Sequence, residues 1–148
     1  MQFNESTYSL PVAVIAKGDT LTLEERHAFR QRLKEDFAAN DICIYPSSYE
    51  VEDSEEASLN SELEPFIPFA VIGSEQIYSL GSKRLLARKS KWGLVEVENP
   101  DHCDFIYFRN MIIRTHMQDL KEKTDQIHYE AYRRARLQSP HQYAESNI

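Results

Sequence analysis

A lysine and an aspartate two residues apart, Lys17 and Asp19, follow directly on the apolar run PVAVIA at residues 11–16. Its β-branched residues suit a short strand buried on both faces, with the Pro at the strand start. Open α/β sheets bind ligands beyond the carboxyl ends of such strands. A carboxylate there can accept two hydrogen bonds together, from the N1–H and the exocyclic amine of guanine, a donor pair that adenine does not offer. The aliphatic stem of Lys17 can lie along the purine face while its ammonium stays in water. By itself the tripeptide also suits an ordinary polar turn, so its neighbours have to decide.

The other chemistry-bearing residue types have no reactive spacing. His102, His116 and His128 form no H-E-x-x-H or Cys/His pattern, so no metal site is expected. Cys43 and Cys103 make no disulfide framework and are expected as small buried hydrophobes. Of the four glycines, Gly18, Gly73, Gly81 and Gly93, none begins a G-x-x-x-x-G-K-[ST] loop and none stands three residues after an Asp. Phosphoryl transfer rests on holding the β- and γ-phosphates and Mg²⁺ in place. No catalytic residue is therefore assigned, Mg²⁺ is not supported, and no GTP hydrolysis is expected of this polypeptide alone.

The elements that must position Asp19 are punctuated clearly. Thr22-Leu23-Glu24-Glu25 fits a capping box at a helix start. Phe29, Leu33 and Phe37 recur at helical spacing as a buried stripe, with Arg30, Arg32, Lys34 and Glu35 facing water, and Asn40-Asp41 ends the helix. Residues 42–45 (ICIY) read as a second short strand, and residues 46–64 as an acidic loop with at most a brief helix. Residues 69–72 read as a third strand closed by Gly73-Ser74. Residues 76–80 and 83–87 pair as a hairpin around Gly81-Ser82. From Asp101 the chain turns helical. Phe105, Phe108, Ile112 and Met117 lie on an apolar face widened by Met111 and Ile113, with a bend near Thr115-His116 and an end near Leu137.

The chain has 148 residues, 41% hydrophobic and 28% charged, which suits one soluble globular domain. A net charge of −7 argues against a nucleic-acid ligand, whose phosphates demand Lys and Arg. The charge is uneven: no Lys or Arg occurs between Lys34 and Lys83, acids cluster from Glu50 to Glu56, and Lys83, Arg84, Arg88, Lys89 and Lys91 follow. No apolar run opens the chain or approaches the roughly 20 residues of a membrane span. A reduced, cytoplasmic setting is expected.

The stretch WGLVEVENPDHCDFIYFRNMIIRTHMQDLKEKTDQIHYEAYR, from Trp92 to Arg133, joins an alternating strand at 94–97 to long helical sequence. It closely resembles the end of the septin GTPase domain, the part that septins have and Ras-like GTPases lack. The likeness extends over residues 12–137. AKGDTLTLEER, at 16–26, resembles the septin base-recognition segment, normally AKAD followed by Thr-Leu-Thr, with Gly18 replacing the second Ala. FAVIGS, at 69–74, resembles the segment whose backbone approaches guanine, where Gly73 permits close approach for want of a Cβ. LARKSKWG, at 86–93, keeps Arg88, Trp92 and Gly93 of the usual R-G-R-x-Y-P-W-G and lacks its first Arg, Gly, Tyr and Pro.

The resemblance implies an α/β, P-loop NTPase-like fold, represented by the C-terminal half of a septin G domain. Short, mostly parallel strands flanked by helices would carry a small antiparallel septin-specific hairpin and C-terminal helices. It divides the chain into a lead-in at 1–10, a partial G domain at 11–137 with the septin unique element at about 92–133, and a flexible tail at 138–148. Lys17, Asp19, Gly73 and Arg88 would contact the guanine end of GTP or GDP, Arg88 stacking on the base. Thr20, Glu25 and Trp92 would reach across the G interface to a second subunit, although the capping box competes for Glu25. The acidic segment would face a basic region of a neighbour, and the 11–16 strand would be left with an unpaired edge. The implied function is that of a guanine-nucleotide-binding cytoskeletal protein assembling with other septins into filaments for cytokinesis and cortical scaffolding. Membrane association would come only through the filament. The alternatives are a catalytically dead module that caps or modulates filaments, or an incomplete product of an ordinary septin gene. Heptads do not continue past Leu137, so no coiled coil is expected.

Overall fold

A computed structural model of the chain describes residues 10–46 and 54–138. Nearly all of the expected lead-in, much of the acidic cluster and the tail beyond Gln138 lie outside these residues. The first element, β1 (Val14–Ile15), pairs in parallel with β2 (Phe69–Ala70). The Phe69 and Val71 amides donate to the carbonyls of Ala13 (3.2 Å) and Ile15 (2.9 Å). Among the described residues no other strand pairs with β1. The expectation of burial on both faces fails for this reason: Ile15 is buried, but Val14 is 42% exposed because no further layer covers it.

Helix α1 (Leu23–Ala39) starts on the capping box read from the sequence. The Thr22 hydroxyl accepts from the Glu25 amide, and the Glu25 carboxylate accepts from the Thr22 amide at 2.8 Å. Asn40 ends the helix, and Asp41 takes the left-handed conformation that Asp tolerates. The expected stripe is only partly covered, with Phe29 39% exposed. The buried residue of α1 is Arg26 instead. Arg30, expected in water, turns inward to Pro68 and Asp104. Spacing alone could not show this, because an arginine in a polar run looks solvated until its acceptors arrive from 38 and 74 residues away.

Residues 42–45 form no strand. They follow an irregular path in which the Tyr45 amide donates to the Pro11 carbonyl at 2.8 Å. Cys43 is exposed, contrary to expectation, while Cys103 is fully buried. The presumed loop before Glu64 contains a ten-residue helix, α2 (Ser54–Leu63). The expected hairpin is the first half of a three-stranded antiparallel meander: β3 (Ile77–Leu80), β4 (Lys83–Ser90) and β5 (Gly93–Glu96). Gly81, at φ +62°, supplies the left-handed position of its two-residue turn. β4 runs three residues beyond the expected Ala87 because β5 pairs with its far end, from Ala87–Glu96 to Ser90–Gly93.

Asp104 joins these pieces. Buried to 4% exposure, it covers the edge of β2 that β1 leaves free. Its amide donates to the Ala70 carbonyl at 2.8 Å, and its carboxylate accepts from the Ala70 amide at 2.7 Å. The same carboxylate oxygen pairs with Arg30, whose Nε also donates to the Pro68 carbonyl at 3.0 Å. One residue, through its backbone amide and its carboxylate, thus satisfies a strand edge and anchors α1.

Beyond Asp104, α3 (Phe105–Asn110) runs into a π-helical turn, Met111–Thr115, and α4 (Met117–Lys123) follows the break at His116. A second π-helical stretch, Thr124–Tyr129, leads into α5 (Glu130–Gln138). The expected bend is present. A π turn shifts the register of the residues after it. Met111, which opens the turn, is in the core, while Ile113 and Met117, within and after it and expected on the apolar face, are 58% and 49% exposed. The main core sets Met111 against Ile67 and Phe69, with Phe66 stacked on Tyr107 and Phe69 against Phe108. His116 is buried in a polar contact: Nε2–H donates to Asn60 Oδ1 at 2.8 Å, tying α2 to the break.

Asp104→Ala strands the Arg30 guanidinium and the Ala70 amide, while its own backbone amide still reaches the Ala70 carbonyl, and should lower the unfolding free energy by about 3–5 kcal/mol in urea denaturation. A loss under about 1 kcal/mol would show that the clamp does not hold the fold. Glu25 makes a separate, acid-dependent contribution. Its hydrogen bonds with Thr22, chiefly to the backbone amide, hold its pKa below the ordinary 4.5. A carboxylate lowered in the folded state stabilises fully above its unfolded pKa, and that stability is lost as pH falls through the lower folded value. Thr22→Ala should cost about 1 kcal/mol near neutrality. Glu25→Gln, which removes the titrating carboxylate, should flatten the fall in melting temperature below pH 4.5, read by circular dichroism.

Candidate nucleotide site

The turn after β1 is held in place by backbone bonds. Lys17 takes a left-handed conformation (φ 57°, ψ 43°), which opens a short 3₁₀ turn, Gly18–Thr20. The Thr20 amide and hydroxyl both donate to the Lys17 carbonyl, at 3.0 and 2.9 Å. Gly18 is buried, and its amide donates to the Val71 carbonyl at 3.0 Å, which docks the turn onto the end of β2. A Cβ at Gly18 would meet the Ala70 carbonyl carbon at 3.2 Å and the Ala70 Cβ at 3.3 Å. Gly18 therefore lets the turn sit close, and Asp19 leaves it with a side chain only 4% exposed.

The opposite wall is the meander. From β4, Arg88 brings Nη1 to 3.5 Å from Asp19 Oδ1, with its own side chain 42% exposed. Asp19, Thr20, Arg88, Lys89, Ser90, Lys91 and Trp92 line a cleft of about 370 Å³. Trp92 stands at its rim, 78% exposed, with Lys91 Nζ 4.6 Å from the ring centroid. The turn that carries it is braced by Ser90 Oγ, which accepts from the Trp92 amide at 3.2 Å.

Four of the seven residues singled out from sequence thus meet: Asp19, Thr20, Arg88 and Trp92. Lys17, Gly73 and Glu25 do not line this cleft. Gly73 is exposed, and a Cβ there would meet nothing within 4 Å, so no contact inside the chain requires glycine at 73. Glu25 is engaged in the capping box.

The description of the septin family matches residues 6–146 of this sequence. The chain belongs to the septin family. It is similar to human septin-9, at 53% identity over 85% of this chain and 22% of that protein. It is also similar to bovine neuronal-specific septin-3, at 48% identity over 85% of this chain and 35% of that one. The chain therefore spans between about a fifth and about a third of these curated septins. Among solved structures, the septin GTPase domain from Chlamydomonas reinhardtii superposes with a TM-score of 0.64 at 25% identity, covering 88% of this chain and 50% of that one. Cdc11 from Saccharomyces cerevisiae gives 0.52 at 26% identity, covering 88% and 52%. The parallel strands, flanking helices and antiparallel meander accordingly form an α/β portion of a septin GTPase domain.

The septin resemblance marks the turn and Arg88, but two residues behind the cleft, Arg26 and His102, carry no such mark. Arg26 is buried and donates through Nη2 to the carbonyls of Gly18 (3.2 Å) and His102 (3.1 Å). His102 in turn accepts the Glu96 amide on Nδ1 at 3.0 Å. In the sequence both sit among polar residues, and no periodicity separates a buried arginine from an exposed one. Trp92, by contrast, is an exposed aromatic with little intramolecular packing. Trp92→Ala should change the unfolding free energy by less than about 0.5 kcal/mol in chemical denaturation. A larger loss would mean that the indole supports the fold and does not stand free for a partner.

Proposed function

We propose that this chain provides the base-reading side of a guanine-nucleotide site together with contact surface for other septins. It works as a subunit of septin filaments in the cytoskeleton, in cytokinesis and cortical scaffolding. One observation carries this reading: the nearly buried Asp19 carboxylate lies at the back of a basic cleft that ends on a bare tryptophan. A carboxylate so placed is matched by the N1–H and amine of guanine, and the planar guanidinium of Arg88 is within reach of the purine face. Lys17, two residues before Asp19, is proposed to lend its stem to the base and Gly73 its backbone, at the edge of the cleft whose lining neither joins. Thr20, Glu25 and Trp92 are proposed as the groups that face a second subunit, with Trp92 as anchor, since exposed Trp and Arg dominate binding energy at interfaces.

The proposed ligand is GTP or GDP, held by its guanine end. The chain has no glycine-rich phosphate loop. Among the described residues no cluster of three or more His, Cys, Asp or Glu is placed to hold a metal ion. Hydrolysis by this polypeptide alone is therefore not proposed. No helix among the described residues is long and apolar enough to cross a membrane, and membrane association is proposed only through the assembled filament.

A second reading is favoured by the terminal helices, where Ile113, Met117, Ile127, Tyr129 and Leu137 are each about half exposed or more. Such a face suits an interaction module that caps or modulates filaments without nucleotide. Calorimetry separates the two. On the leading reading the chain binds GDP, Asp19→Ala abolishes that binding, and ADP gives no heat. Co-purification with a full-length septin that survives Asp19→Ala, with no GDP binding by the unmodified chain, would favour the module. GTP turnover by the purified chain that is abolished by Asp19→Ala would overturn the proposal of an inactive fragment.

A further inference from the structure

The two walls of the cleft come from different sheets. Asp19 and Thr20 follow β1 of the parallel pair, whereas Arg88 and Trp92 belong to the antiparallel meander. Their separation decides whether one flat base can meet the Asp19 carboxylate and the Arg88 guanidinium together. Something must fix that separation, and the residue placed to do so is Arg26.

Its position is unfavourable on every local ground. Arg26 is 7% exposed and follows the first turn of α1, near the positive end of the helix dipole, where acids and not cations are stabilised. No carboxylate pairs with it among the described residues, and its Nε is buried without a hydrogen-bond partner. Burying a cation without a counter-charge is costly unless its hydrogen bonds compensate. Those bonds go to two backbone carbonyls 84 residues apart in the chain, at Gly18 and His102. The first belongs to the peptide that enters Asp19. The second belongs to a residue whose imidazole receives the Glu96 amide, and Glu96 pairs across β5–β4 with Ala87, the neighbour of Arg88. A single guanidinium nitrogen thus ties the base-reading turn to the strand carrying Arg88.

We infer that Arg26 is a positioning residue that sets the distance between Asp19 and Arg88, and so the selectivity of the cleft for guanine. The selectivity clause rests on the guanine reading of Asp19; the coupling of the two walls does not. A displacement of about 1 Å is enough to spoil directed contacts of this kind.

Amide hydrogen exchange measured by NMR on the 148-residue chain tests the coupling. The Thr20 amide reports the turn, the Glu96 amide reports the His102 contact, and the Val71 amide in the β1–β2 ladder serves as the stability reference. Arg26→Met should speed exchange at Thr20 and Glu96 together by on the order of tenfold relative to Val71. Arg26→Lys, which keeps a cation but not the planar donor, should give an intermediate change, and remains informative if the Met variant folds poorly. Arg30→Met is the control: it removes an arginine that ties α1 to Pro68 and Asp104, and should disturb Val71 at least as much as Thr20 and Glu96. If Thr20 and Glu96 merely follow Val71 in the Arg26 variants, or if Arg30→Met gives the same pattern, Arg26 is ordinary fold support and the inference fails. Selectivity is read separately, as the preference for GDP over inosine diphosphate, which lacks the exocyclic amine. Arg26→Lys should shrink that preference. An exchange pattern as expected, with no GDP binding by the unmodified chain, rejects the guanine reading and leaves the coupling in place.

Discussion

The structure depends on how an exposed β-strand edge is satisfied. Among the described residues β2 pairs with β1 on one side only, and two parallel strands by themselves make a poor sheet, because parallel sheets are stable when both faces and both edges are covered. Asp104 answers for the second edge. It offers an amide to the Ala70 carbonyl and a carboxylate to the Ala70 amide, as a neighbouring strand would, and its charge is balanced by Arg30 of α1. Because Asp104 also immediately precedes α3, the same residue fixes where the terminal helices begin. Strand, α1 and helical end are therefore referenced to one residue.

The candidate site inherits its precision from this arrangement. The turn bearing Asp19 is docked by Gly18 onto Val71, directly beyond the strand residue that Asp104 holds. The meander bearing Arg88 and Trp92 is anchored through Val97 to Leu86, through Ser74 to Ala87 and through His102 to Glu96. Arg26 then spans the gap between turn and meander. Two arginines of α1 thus divide the work: Arg30 secures the β2 edge, and Arg26 secures the cleft. Leucines in their place would bury more apolar area but could not satisfy backbone carbonyls arriving from distant segments, and unsatisfied buried carbonyls are costly.

Legibility followed the range of the interaction. The capping box at Thr22 and Glu25, the Gly81-Ser82 turn and the bend at His116 each rest on contacts within a few residues, and each was readable. The readings that failed depended on distant partners. Residues 42–45 have strand-like composition, but among the described residues no strand meets them. Arg30 reads as solvated until Asp104 arrives. Val14 reads as doubly buried, but among the described residues its sheet has two strands. The register of the terminal apolar face was lost at a π turn, which no 3.6-residue count anticipates. In the site, Asp19 and Arg88 were marked by resemblance to the septin pattern, whereas Arg26 and His102 carry no local signal because their partners are backbone carbonyls and amides, which have no sequence signature.

By itself, then, the sequence determined the family, the α/β class, the helix start behind the base-reading turn, and the lack of a phosphate loop in this polypeptide. These are properties of local patterns and residue identity, and they survive without knowledge of what packs where. Only the tertiary structure decided which charges are buried, that Asp19 and Arg88 face each other across one cleft while Lys17, Gly73 and Glu25 lie off it, and that Trp92 stands free. The physical reason is that burial and hydrogen bonding of a long polar side chain are set by acceptors many tens of residues away, and their position is fixed only when the whole chain has folded.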